Sequence, residues 1–116
     1  MSDRDKLIIL SILEAIDKIH RFASNYSNPD EFRNNERDFD ACMMNFIIIG
    51  EMVSRLSNKF IEQYSHIDWY KIKGFRNIIA HDYFGIDAEE VWQILSKHLP
   101  QLKKQLQLII NDNKSN

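Results

Sequence analysis

Apolar residues recur at spacings of three and four through most of this chain. Ile9, Ile12, Leu13, Ile16, Ile19 and Ala23 do so with Glu14, Asp17, Lys18 and Arg21 between them, which predicts an amphipathic helix from Asp5 to about Asn25. Ser27-Asn28-Pro29-Asp30 ends it, because proline lacks a backbone donor and disfavours the helical conformation in the residue before it. Glu31 to Asp38 is a charged stretch that reads as a solvated link or a short helical turn. Phe39, Met43, Phe46, Ile47, Gly50, Val53 and Leu56 then predict a second long helix from about Phe39 to Phe60. Its apolar residues, Met44, Ile48, Ile49 and Met52 included, almost encircle it. Such a helix is either central in a bundle or used twice, once for the core and once for a partner chain.

Ser57 to His66 closes that helix and leads into a loop, after which Ile67 to Ile72 starts a short helix with Asp68 as its cap. Gly74 punctuates, and a third helix follows to Gly85, where glycine suits the left-handed conformation that terminates helices. Asp87 and Glu90 form a capping box that opens a fourth helix at once. Val91, Leu95, His98, Leu102, Leu106 and Ile109 make one stripe of it. Pro100 lies within, and a proline inside a helix costs about 3 kcal/mol, so a kink or a split is expected near His98 to Leu99. Residues 1–4 and 111–116 are expected to fray. Together these elements predict an all-α, up-and-down bundle of four to five helices, with the last kinked near Pro100, in one domain over residues 1–116.

Composition supports that reading: 116 residues, of which 44% are hydrophobic and 28% charged, with only three glycines and two prolines to make turns. The formal net charge of −2 argues against coating duplex nucleic acid through a broad basic face. A local basic site remains, since Lys71 and Lys73 stand just before Arg76 and are candidate contacts for RNA phosphate. Cys42 is the one cysteine and reads as a small buried hydrophobe. The apolar runs are too short to span a bilayer, and a cytoplasmic protein with no membrane partner is expected.

The candidate chemistry lies in Gly74-Phe75-Arg76-Asn77-Ile78-Ile79-Ala80-His81-Asp82-Tyr83. At about 100° per residue, Asn77 and His81 share a helix face, Arg76 and Tyr83 are nearly eclipsed two turns apart, and Arg76 and His81 diverge by about 140°. One straight helix cannot aim all four at one point. Either Arg76 reaches round with its long side chain or a second copy of the chain completes the site. Guanidinium makes bidentate, permanently charged contacts to phosphate, and imidazole moves protons near neutral pH. RNA brings its own nucleophile, the 2′-OH, so a protein need supply only a base, an acid and charge stabilisation. In-line attack is hard for one imidazole to serve on both sides, and a two-fold axis would supply a second His81. Gly50 within a helix suits a close approach by another group. Glu51 beside it either pairs with Arg76 or faces solvent.

Arg76-Asn77, three apolar residues, His81, one residue and Tyr83 resemble the arginine, four residues, histidine, one residue, tyrosine signature of HEPN-domain proteins of the HepT type. Ile49-Gly50-Glu51, Ile67-Asp68-Trp69, Gly74-Phe75 and Val91-Trp92 follow in the order expected of that group. The resemblance implies a HEPN-like bundle that forms a homodimer, within a larger hetero-oligomer or alone. It implies the toxin of a type VII toxin–antitoxin pair, a metal-independent endoribonuclease that needs no cofactor. Its partner would be an MntA-like nucleotidyltransferase antitoxin that transfers AMP to Tyr83. Carried over, Arg76 and His81 would be catalytic, Asn77 and Glu51 would support the site, and Tyr83 would be the modified switch. The alternative is a non-catalytic helical dimer that binds nucleotide or substrate for a separate nucleotidyltransferase.

Overall fold

The computed structural model describes residues 1–114, and among these there is no strand. Helix α1 (Asp3–Ala23) begins where the Ser2 hydroxyl accepts from the Asp5 N–H, so the start of the chain is capped where fraying was expected. It buries Ile9, Ile12, Ile16 and Ile19, the stripe set by its period. Helix α2 (Pro29–Asn34) takes up the charged link, with Pro29 in its first turn and Asn28 as cap. Its Phe32 is fully buried against Tyr26, Phe39 and Trp92.

Helix α3 (Glu36–Ser54) is shorter than the expected span to Phe60. It stops at Ser54 because Ser57 caps a separate helix, α4 (Asn58–Gln63), by accepting from the Phe60 N–H. Buried Asp5 fixes that cap from α1, accepting from the Ser57 N–H at 3.0 Å and from its hydroxyl at 2.6 Å. At the other end, Cys42 of α3 donates its thiol to the Ile19 carbonyl of α1. The two helices therefore run antiparallel.

Helix α5 (Trp69–His81) is capped by Asp68, as the sequence suggests, but it continues unbroken through Gly74. It ends at His81 rather than running on towards Gly85. Tyr83–Gly85 form a 3-10 turn, and no glycine has a positive φ, so Gly85 is not the left-handed terminator expected. α5 lies antiparallel to α3, with Phe75 against Phe46 at one end and Tyr83 against Phe39 at the other.

Helix α6 (Ala88–Gln93) starts at Asp87, which accepts from the Glu89 N–H. Around Pro100 the regular α-helix is interrupted, as expected, and α6 and α7 are separate segments. A π turn over Ile94–His98 precedes α7 (Leu99–Lys114), with the Leu99 N–H bonded to the Ile94 carbonyl. The wider turn accommodates the missing proline donor and lets the helical path continue. α7 runs through Lys114, past the expected fraying point, and the tail at 115–116 lies outside the described residues. Lys103 of α7 pairs with Asp17 of α1 at 2.8 Å. The result is an all-helical up-and-down bundle around one apolar core. Among the described residues, no helix is long and apolar enough to cross a membrane.

Candidate functional site

The centre of the candidate site is the contact between α5 and α3. Gly50 is buried on α3, and the stem of Arg76 lies directly on it; a Cβ at residue 50 would collide with Cβ and Cγ of Arg76. Gly50 is thus a close-approach glycine, and the group that approaches is the arginine. Arg76 Nη2 then meets Glu51 Oε1 at 2.7 Å, and Nη1 donates to Asn77 Oδ1 at 2.8 Å. Nε is buried without a hydrogen-bond partner. The side chain remains 30% exposed, so the guanidinium is oriented yet reachable from solvent. Of the two open readings of Glu51, the ion pair with Arg76 is the one observed.

His81, the last residue of α5, is exposed, and among the described residues its side chain makes no hydrogen bond. It stands about 140° round the helix from Arg76. Asn77, one turn before His81, is the only one of the other three motif residues bonded to the Arg76 side chain. A single copy therefore does not bring Arg76 and His81 together. Lys71 and Lys73 are both exposed, at about 140° and 60° from Arg76, so Lys73 is the nearer in register. Lys71 is 3.9 Å from Asp68.

Tyr83 leaves the helical register assumed in the sequence reading, because α5 ends before it. Its ring packs edge-on to Phe39 and its hydroxyl donates to Asp40 Oδ1 on α3. Burial, and then the Asp40 carboxylate, push the phenol well above its ordinary range, while the Arg33 guanidinium opposes part of the rise. Arg33 itself lies over the Phe39 ring, 4.4 Å from its centroid. Asp40 and Arg33 were not singled out from the sequence. Asp40 closes an acidic run, and its partner is 43 residues away in sequence.

Asp40 and Glu51 are three turns apart on one face of α3, about 16 Å along its axis. Between them Met44 and Ile48 are exposed at 57% and 36%, while Met43, Phe46, Ile49 and Val53 of the same helix are buried. The apolar surplus on α3 thus divides into a core face and an uncovered stripe flanked by the two carboxylates. A separate groove of about 650 Å³ borders the opposite side of α5, where Phe75, Ile78, Lys71 and His98 line it. It includes none of Arg76, His81 and Tyr83. Among the described residues, no group of three or more His, Cys, Asp or Glu is placed to hold a metal ion.

Comparison with known proteins gives the family of the chain. Residues 12–109 match the family described as HepT-like, ribonuclease HepT-like. The chain is 34% identical over 110 residues to "Putative RNase MJ1380" of Methanocaldococcus jannaschii, covering 94% of this chain and 100% of that one. It is also 34% identical over 113 residues to "Putative RNase MJ1216" of the same organism, covering 97% and 93%. "Probable ribonuclease HepT" of Thermococcus cleftensis is 29% identical over 92 residues, covering 79% and 83%. No solved structure matches the chain.

Proposed function

The chain belongs to the HepT-like ribonuclease family, and on that premise we propose that it is an endoribonuclease toxin whose site is completed by a second copy of itself. The observation that carries the reading is the placement of Arg76. Its stem is seated on Gly50 and its guanidinium oriented by Glu51 and Asn77, while His81 is exposed, unbonded and turned away. A phosphate-binding arginine and a free imidazole that cannot meet on one helix call for a partner, and the Met44 and Ile48 stripe beside Glu51 is the surface that would bury against it.

In the composite cleft, each Arg76 would bind phosphate oxygens and offset the charge that develops on them. One His81 would take the proton from the 2′-OH, and the partner's His81 would give one to the departing 5′ oxygen. Cleavage by this route needs no metal, as the family resemblance also implies, and leaves a 2′,3′-cyclic phosphate. Lys73 would extend the phosphate contacts from the same side of α5, and Lys71 is the outlying candidate. An MntA-like nucleotidyltransferase would silence the toxin by transferring AMP to Tyr83. The adduct would add negative charge and bulk beside the end of α5 that carries His81.

The Glu51 ion pair favours a second reading, because it occupies the guanidinium that RNA phosphate needs. In that reading the protein is a non-catalytic helical dimer that binds nucleotide or substrate for a separate nucleotidyltransferase. Incubation of purified protein with RNA in EDTA separates the two. Cleavage to cyclic-phosphate ends by unmodified protein, lost in folded His81→Ala, supports the ribonuclease. Intact RNA after incubation with unmodified protein supports the binding module.

A further inference from the structure

Three features around Tyr83 are unaccounted for by RNA cleavage. Asp40 is the hydrogen-bond acceptor of the Tyr83 hydroxyl, yet it is exposed and far from Arg76 along α3. Arg33 is stacked on Phe39, the same ring that packs edge-on against Tyr83. Phe84, its ring 5.9 Å from that of Tyr83, is 93% exposed. A carboxylate on the hydroxyl, a cation on the neighbouring Phe39 ring and an exposed aromatic beside the phenol ring thus gather around Tyr83, supplied by α3, α2 and the 3-10 turn.

We propose that this cluster is built for nucleotidyl transfer, with Asp40 as the general base that activates Tyr83 and Arg33 as the cation that steadies the arriving phosphate. The inference rests on the reading of Tyr83 as the acceptor of AMP. In the step, the phenolic oxygen attacks the α-phosphorus of a nucleoside triphosphate held by the partner nucleotidyltransferase. The new O–P bond forms as the bond from that phosphorus to the bridging oxygen breaks, and pyrophosphate leaves. The phenolic proton passes to the Asp40 carboxylate and from there to water, which its exposure allows.

The chemistry favours this assignment over a merely structural tie. A neutral phenol is a poor nucleophile, and both burial and the neighbouring carboxylate disfavour the free phenolate here. The proton must therefore leave as the bond forms, which needs an acceptor already in contact with the hydroxyl, the role an aspartate plays towards the substrate hydroxyl in protein kinases. Asparagine at residue 40 would accept the same hydrogen bond and hold the ring equally well, but it could not take the proton. Asp40 of α3 touches the hydroxyl and Arg33 of α2 acts on it from over the Phe39 ring, so the charges that set its reactivity come from these two side chains.

The test uses the full chain with an MntA-like nucleotidyltransferase and ATP, and follows adduct mass against time from pH 6 to 9. Asp40→Asn is expected to slow modification by about 10²-fold, a typical share for a general base. Its rate should then climb with pH as phenolate becomes available, while the wild-type rate stays nearly flat. Arg33→Gln slows the reaction and Arg33→Lys restores part of it. An Asp40→Asn rate within threefold of wild type, with the same pH profile, overturns the assignment while leaving Tyr83 as the acceptor. A wild-type protein that gains no adduct, or an adduct that persists in Tyr83→Phe, overturns the acceptor reading and the inference with it. Labelling by 5′-fluorosulfonylbenzoyl adenosine reads the phenol without the partner. Slower labelling of Tyr83 in Asp40→Asn is expected, and equal labelling counts against the base.

Discussion

Replacing Gly50 with alanine tests the contact on which the site is organised. In an ordinary helix the change stabilises by about 1 kcal/mol. Gly74 on α5 is such a place, since an added Cβ there meets nothing within 4 Å. At Gly50 the new methyl would overlap the Arg76 Cβ and lie 2.8 Å from its Cγ. The Cβ is fixed to the backbone and cannot swing aside, so α5 must shift. Overpacking of this kind costs about 1 to 3 kcal/mol. Set against the propensity gain, Gly50→Ala should be neutral to destabilising by about 2 kcal/mol, whereas Gly74→Ala should gain about 1. With about 4 °C per kcal/mol for a domain of this size, the two melting curves should separate by about 4 °C or more. In an Arg76→Gly background the obstruction is gone, and Gly50→Ala should become stabilising. Arg76→Ala would not serve, because it keeps the Cβ. Thermal unfolding followed by circular dichroism reads wild type, the three single variants and the double variant. Equal stabilisation by Gly50→Ala and Gly74→Ala in the wild-type background would refute the close approach and, with it, the physical reason for a glycine beside Glu51.

Two further outcomes follow from buried groups. Asp5→Ala strips the Ser57 N–H and hydroxyl of their acceptor and should cost about 1 to 3 kcal/mol in urea unfolding. Burial pushes the Asp5 carboxyl upward, but the hydrogen bonds from Ser57, together with Ser2 and the Arg4 charge, outweigh it and hold the group below its ordinary value. A depressed folded-state value means that the stabilisation is complete above the unfolded value of about 4 and is lost as pH falls through the folded one. Wild-type stability should therefore drop more steeply than that of Asp5→Asn below about pH 4, and parallel curves would contradict the role of the Ser57 bonds. Cys42 is fully buried and its thiol is pushed by burial up to about 12, so a maleimide should label it only after unfolding. Rapid labelling of the native protein would mean that the α1 and α3 contact opens readily.

The helices whose apolar stripes face the core were legible because the period of three and four is enforced by burial. α1 is the clear case, with Ile9, Ile12, Ile16 and Ile19 all inside. The close approach at Gly50 was also legible, whereas Glu51 had two open readings, pairing with Arg76 or facing solvent, between which the structure selects the pair. What failed were features whose causes lie far off in sequence. The break after Ser54 depends on Asp5, which holds Ser57 in its capping role. The uninterrupted path of α5 through Gly74 reflects packing of its neighbours, and glycine alone does not stop a helix. Tyr83 fell out of helical register, and its bond to Asp40 spans two elements that local pattern cannot join. The apolar surplus on α3 was legible as either a central helix or one used twice, and period alone could not say that Met44 and Ile48 would remain outside.

The central claim is that Arg76 and His81 act from different copies of the chain. Arg76→Ala and His81→Ala, purified separately and shown to be folded, would be mixed, allowed to exchange subunits and assayed on RNA in EDTA. A mixed dimer retains one arginine and one histidine, contributed by opposite chains. With one His81 left in the cleft the second proton transfer falls to water, so the account predicts cleavage by the mixture below that of wild type but well above the sum of the two variants alone. Cleavage no greater than that sum, in a mixture shown by mass spectrometry to contain the hetero-dimer, would contradict it.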